Sequence, residues 1–375
     1  PWRQDVVLVA DDVDEIWEVE FFQEQEGLAS QIDDQRPEVN LIKIYSDAFS
    51  QEAKPGSQRY PDARTALFRE VEEGALAVSY VGHGGEVGWA TERILQLEDI
   101  QSWDNEPRLP VFTTITCEFT RFDDPTRVSA GEQLYLNPTG GAIALFSTTR
   151  SVIATASTYA LNELLMNRLL HEETARLGDI IRETKNANSS GDRIKFSLIG
   201  DPALRISRPQ MEMVLDSVNG QLVQEFQDTL QALSWVKLSG HVEQDGVLES
   251  QFNGVAWITL YDKPQTQQTL KNDGVGGKYS FESQNNAVFR GLASVKNGRW
   301  TTTFRVPLDI NLSVGPAKLS MYATSDKGLG EEQDAWGASK SMLIGGISSA
   351  PITDNAGPAV RLFIDDTTFA SGGIT

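Results

Sequence analysis

Apolar residues along this chain follow two rhythms. Up to about residue 203 they come in short continuous runs: Asp5-Val6-Val7-Leu8-Val9-Ala10, Leu41-Ile42-Lys43-Ile44-Tyr45, Leu76–Val81, Val111–Thr116 and Ala142–Phe146. Runs of this length, rich in β-branched residues and closed by turn residues, predict strands buried on both faces. Polar segments between them carry apolar residues at helical spacing. Glu15–Gln31 is one, with Ile16, Val19, Phe22 and Leu28; others run from about Asp62 to Glu73 and from Ser157 to about Ala187. Strands alternating with helices predict a mainly parallel sheet with helices on both faces, over residues 1–208.

After Gly200-Asp201-Pro202-Ala203 the rhythm shortens. Ala256–Tyr261, Ala287–Gly291, Trp300–Val306 and Lys318–Tyr322 are brief polar-apolar strands, punctuated by turns such as Asn272-Asp273-Gly274 and Lys296-Asn297-Gly298. This predicts an antiparallel, immunoglobulin-like β-sandwich over residues 209–350. Arg361-Leu362-Phe363-Ile364-Asp365 predicts a further β module opening within 351–375.

Charge narrows the partners. Acidic residues outnumber basic ones 53 to 32, for a formal net charge of -21, spread along the chain instead of gathered in a tail. A nucleic-acid partner, which needs clustered Lys and Arg, is excluded. No run is long and apolar enough for a membrane-spanning helix, and no signal peptide is present. The chain starts at Pro1-Trp2 almost directly on a strand, which predicts a fragment or processed form of something longer.

The candidate chemistry is sparse and therefore informative. Three histidines and one cysteine occur in 375 residues. His83 and Cys117 both fall just past the carboxyl ends of predicted strands, where open α/β sheets collect reactive groups. Their separation, 117 minus 83 or 34 residues, leaves room for one helix crossover between adjacent parallel strands. A thiol becomes a useful nucleophile beside a base, and histidine titrates in the right range. Gly82, Gly84 and Gly85 collar the histidine and let a substrate backbone come close. Backbone N–H groups of Gly84 and Cys117 are the expected oxyanion donors. The ordinary alternative is a buried apolar cysteine beside an unrelated polar histidine. One cysteine and one nearby histidine do not make a metal ligand set.

Several separated motifs carry a resemblance. Tyr80-Val81-Gly82-His83-Gly84-Gly85-Glu86, Trp89-Ala90 with Glu92-Arg93-Ile94-Leu95, Thr116-Cys117-Glu118-Phe119 with Arg121-Phe122-Asp123-Asp124-Pro125, Leu136-Asn137-Pro138, Thr148-Thr149-Arg150 and Leu198-Ile199-Gly200-Asp201-Pro202 stand in that order. Together they closely resemble the gingipain-type cysteine peptidases, nearest to the branch that serves as sortase of the type IX secretion system. The resemblance spans residues 1 to about 208, and the β region also looks like the extension that follows the peptidase domain in that branch. It implies a caspase-like α/β fold with Cys117 as nucleophile and His83 as general base. It further implies a cell-surface, outer-membrane-associated role: removing the C-terminal sorting domain from cargo proteins and passing the acyl group to an anionic lipopolysaccharide or glycolipid, beside an outer-membrane partner. One departure stands out. Relatives often carry a histidine after the first strand, where this chain reads Ile16-Trp17-Glu18-Val19.

Other acidic residues stand near the pair. Asp11 and Asp12 end the first strand and read as cleft-lining carboxylates, calcium ligands or a helix cap. Asp47 ends the second strand and could orient His83, with turn chemistry as its alternative. Glu86 and Glu118 flank the pair as cleft or arginine-paired residues. Arg93, Arg121 and Arg150 could hold a carboxylate or phosphate, or serve in ion pairs. No cofactor is required, with calcium admitted as a structural ion. Two rival readings stay open: a gingipain-like secreted endopeptidase that only hydrolyses, and a largely non-catalytic outer-membrane scaffold.

Overall fold

The computed structural model describes residues 1–54, 57–172, 175–328 and 332–349. The β module expected at 351–375 lies outside them.

The first part is built on a six-stranded sheet: β1 (Asp5–Ala10), β2 (Asn40–Tyr45), β3 (Ala77–Val81), β4 (Val111–Ile115), β5 (Ala144–Thr148) and β6 (Phe196–Ile199), in the order β6-β5-β4-β3-β1-β2. The first five run parallel; β6 pairs antiparallel with β5, so the sheet is mixed. Every residue of β3, β4 and β5 is buried, as their unbroken apolar runs require. Helices α1 (Val19–Gln35), α2 (Pro61–Glu73), α3 (Leu97–Ser102), α4 (Ala130–Leu136), α5 (Ala156–His171) and α6 (Leu177–Ala187) connect and cover the strands. One apolar cluster joins Phe21, Phe22, Leu28 and Ile32 of α1 to Leu161, Leu165 and Leu169 of α5 beneath one face. Leu67 and Val71 of α2 pack with Trp89, Trp103 and Phe112 beneath the other.

α1 begins later than its apolar spacing implied. Ile16 is 63% exposed and lies in a short 3-10 turn, Ile16–Glu18, that precedes the helix. The buried stripe is Phe21, Phe22, Gln25, Leu28, Ala29 and Ile32. Gln25 belongs to it because its side-chain amide donates to Val9 O and Ser79 O, both at 2.9 Å. The long segment from Ser157 forms two helices instead of one.

The second part differs from a two-sheet sandwich. Its main strands are β7 (Met211–Val218), β8 (Trp235–Gln244), β9 (Gly254–Tyr261), β10 (Ala287–Lys296), β11 (Arg299–Arg305), β12 (Lys318–Ser325) and β13 (Asp334–Ser339). They hydrogen-bond in the order β7-β13-β12-β9-β10-β11-β8, and β7 also pairs with β8, closing the sheet on itself. β7 manages this because Met211 and Glu212 run parallel to β13 while the rest of the strand lies antiparallel to β8. Alternate residues point inward to a separate core that includes Leu238, Phe252, Ile258, Trp300 and Met321.

The two parts touch. Phe281, Tyr322 and Trp336 join the α1-side cluster, and Lys318 Nζ donates to Val39 O at 2.7 Å. No helix among the described residues is long and apolar enough to cross a membrane.

Candidate active site

Strand register brings His83 and Cys117 together. β3 and β4 run parallel with Val81 opposite Ile115, and each candidate lies two residues beyond its strand's last paired position. Neighbouring strands are about 4.8 Å apart, so equal overshoot places both residues on one edge, side by side. Gly82 N–H still donates to Ile115 O at 3.2 Å, which carries the pairing one residue further. A Cβ on Gly84 would sit 2.6 Å from Thr116 Oγ1 and 2.9 Å from Gly88 O. Only glycine allows the histidine loop this close to the cysteine loop.

His83 is held by three groups. Its Nε2 lies 2.6 Å from Glu18 Oε1, its own N–H donates to Asp11 Oδ2 at 2.8 Å, and its carbonyl accepts from the Tyr80 hydroxyl at 2.5 Å. Trp17 and Phe21 stand edge-on to the ring, with centroids 5.7 and 5.4 Å away. Nδ1 carries no hydrogen bond to a described residue, and the side chain is 46% exposed. One ring nitrogen is therefore anchored while the other is available.

Glu18 is itself fixed. Its Oε2 accepts from the N–H groups of Asp14 (2.7 Å) and Glu15 (2.6 Å), and the residue is 4% exposed. Sequence reasoning did not assign it. The signal was the segment Ile16-Trp17-Glu18-Val19, noted there only as a departure from relatives.

Cys117 is partly buried, and its thiol donates to Val152 O at 3.6 Å. The next residue, Glu118, adopts φ 51°, the left-handed region that non-glycine residues seldom occupy. That turn takes the chain sharply off the strand and leaves the cysteine at its apex. Two ion pairs bind the loops around the pair: Glu86 meets Arg121 at 2.7 Å and Arg127 at 2.9 Å. Glu86 O accepts from Ala130 N–H at 2.7 Å. Glu118 lies 3.8 Å from Arg121, and Arg150 pairs with Asp123 at 2.5 Å. Each of these four groups is engaged in holding loops.

At Gly84 the ladder bears on the expected oxyanion donor. Ala90 N–H donates to His83 O at 2.9 Å, which makes Gly84–Trp89 a non-hydrogen-bonded pair of the antiparallel ladder. The pairing leaves the Gly84 N–H unspent.

Two expectations are corrected. Asp47 does not orient His83: it is 5% exposed and accepts from Lys271 N–H (3.2 Å), Asn272 N–H (3.0 Å) and Asn272 Nδ2 (3.0 Å), tying the sheet's edge to the second part. Asp11 does not line the cleft, because at 3% exposure it supports the histidine backbone from below. Beside it lie Asp12 and Glu92, also buried. Burial and Glu92's charge push Asp12 up to about 8; burial and Asp11's charge push Glu92 up to about 7. Burial and the neighbouring Asp12 lift Asp11 well above the ordinary carboxylate range.

The model of peptidase family C25 matches residues 1–207, more than half of the chain and the whole of the six-stranded part. The chain belongs to peptidase family C25. This is the gingipain family of cysteine peptidases, as the ordered motifs implied. Solved structures give more distant likenesses. The complex of Porphyromonas gingivalis RgpB pro- and mature domains is 15% identical, with a TM-score of 0.45 over 89% of this chain and 68% of that one. The Arg-specific cysteine proteinase gingipain R (RgpB) is 16% identical, with a TM-score of 0.44 over 89% and 67%. Dimeric latent PorU from Porphyromonas gingivalis is 17% identical, with a TM-score of 0.38 over 98% of this chain and 45% of that chain. No curated protein sequence matches.

Proposed function

We propose that this C25 domain is the catalytic part of a cell-surface transpeptidase of type IX secretion, peripheral to the outer membrane, which removes the C-terminal sorting domain of cargo proteins and transfers them to an anionic glycolipid. The observation that carries the chemistry is the buried Glu18 carboxylate 2.6 Å from His83 Nε2, on the edge where the register sets His83 beside Cys117. Support for the cargo is the order of the sequence motifs, together with a β region placed directly after the peptidase part.

In the proposed reaction Cys117 is the nucleophile and His83 takes the thiol proton as the sulfur attacks the scissile carbonyl. The tetrahedral oxyanion forms beside the backbone N–H groups of Gly84 and Cys117. Collapse expels the sorting domain as an amine, which receives its proton from His83, and leaves a thioester on Cys117. Attack by a glycolipid amine, which gives its proton to His83, forms the new amide and frees the thiol. Glu18 holds the imidazole so that Nδ1 faces the reacting atoms and steadies its charged form.

Hydrolysis is the second reading. The 46% exposure of the His83 side chain favours it, because water reaches the base directly. Intact mass spectrometry of cargo carrying its sorting domain, incubated with the full protein and an amine acceptor, separates the two. Transfer adds the acceptor's mass to the shortened cargo, and hydrolysis adds water. Both vanish with Cys117→Ala. If that variant still processes cargo, neither reading stands.

A further inference from the structure

Beneath the histidine loop lies an electrostatic problem that the proposed chemistry does not use. Asp11, Asp12 and Glu92 are 3%, 4% and 2% exposed, and each offers an oxygen within 4.8 Å of the others'. Among the described residues no lysine or arginine forms an ion pair with any of them. Tyr60 donates its hydroxyl to Asp12 Oδ2 at 2.9 Å, and His83 N–H occupies Asp11 Oδ2. The remaining oxygen of Asp11, Oδ1, is buried and has no hydrogen-bond partner. Buried polar atoms are almost always satisfied, and buried charges are paired or bind metal.

We propose that Asp11, Asp12 and Glu92 bind one divalent cation of calcium's size, and that this ion locks the loop carrying His83 onto the end of β1. Calcium holds oxygen ligands at about 2.3–2.6 Å, so two ligands across it stand up to about 5 Å apart. The 4.8 Å limit of this group matches that span. The donor set is all carboxylate oxygen, the choice of a hard cation over zinc or copper. The ion gives Asp11 Oδ1 its missing partner and offsets the three negative charges. The same carboxylate then binds the ion through one oxygen and His83 N–H through the other. Glu92 comes from the loop that follows the histidine, so the ion ties both ends of that loop to β1. Asp12 also belongs to a more exposed group with Asp14 and Asp273, which supplies the rival location.

Terbium, a luminescent calcium substitute, tests this directly. Tyr60 touches Asp12, and Tyr80 stacks on Trp89 with centroids 4.3 Å apart, so nearby rings can sensitise a bound lanthanide. Full-length protein freed of metal with a chelator is titrated with terbium and then with competing calcium. The proposal requires a saturable one-to-one signal that calcium displaces, and a calcium-dependent rise in unfolding temperature. Glu92→Gln and Asp12→Asn each weaken binding by at least about tenfold, while Asp273→Asn leaves it unchanged. Absence of both the signal and the calcium-dependent rise in the wild-type protein overturns the proposal. Binding that survives Glu92→Gln but is lost in Asp273→Asn overturns it equally, by moving the ion to the outer group. If Glu92→Gln fails to fold, the wild-type titration still decides whether an ion binds, and Asp12→Asn against Asp273→Asn decides where.

Discussion

The molecule holds two histidines flanked by carboxylates, one in each of its parts, and they are built for opposite ends. His83 sits beyond the end of β3 with Nε2 on Glu18 and Nδ1 without a bond to any described residue. His241 sits within β8 with Nδ1 on Asp216 (2.8 Å) and Nε2 on Glu243 (3.0 Å), and its side chain is only 18% exposed. A ring clamped at both nitrogens fastens neighbouring strands and cannot pass a proton on. A ring clamped at one keeps the other for chemistry. Carboxylate contact alone therefore does not mark a catalytic histidine; the free nitrogen at a strand end, beside Cys117, does.

That contrast can be broken at several points. The largest effect falls on His83→Ala, which lowers kcat/KM for cargo processing by about 10²–10⁴-fold, the usual contribution of a positioned acid-base group. Steady-state kinetics on the purified variant checks it, and a smaller loss would take His83 out of the reaction. Glu18→Gln comes next. It keeps the shape but loses the charge that steadies the imidazole, and lowers kcat by about 10²-fold with KM nearly unchanged. An equal loss from KM would mean that Glu18 contacts substrate. His241→Asn leaves kcat unchanged and costs about 1 kcal/mol of stability, measured by urea unfolding, because only a partly exposed network is cut.

The smallest effect concerns the seam between the two parts. Burial lowers Lys318 to about 8. Below that pH both folded and unfolded chains hold the proton, and the burial cost is present in full. As pH rises from about 8 toward the ordinary 10.5, the folded chain has released the proton while the unfolded one retains it, so stability increases. Lys318→Met removes this increase. Urea midpoints of both proteins across that range test the difference.

Much of the α/β part was legible because five strands buried on both faces read as continuous apolar runs. β6 was not read as a strand, since three of its four residues are only partly buried and no continuous apolar run announces it. α4 was likewise hidden within a motif: seven residues long, it carries too few apolar positions for a period to emerge. In the second part the alternation was legible but the closure was not, because it depends on β7 changing partners after Glu212. At the site, Cys117 and His83 stood out by rarity and position. Glu18 did not, because its role follows from a 3-10 turn that buries one of 53 acidic residues against a ring 65 positions away. Asp47 misled for the complementary reason: it ends a strand on the correct edge, yet the second part supplies its partners.

The most direct measurement is intact mass spectrometry of the protein itself, acid-quenched within the first turnover of a cargo substrate. The account predicts a protein species heavier by the acyl half of the substrate, mapped to the Cys117 peptide and absent from Cys117→Ala. Product formed without any adduct, at a rate that Cys117→Ala preserves, would contradict it.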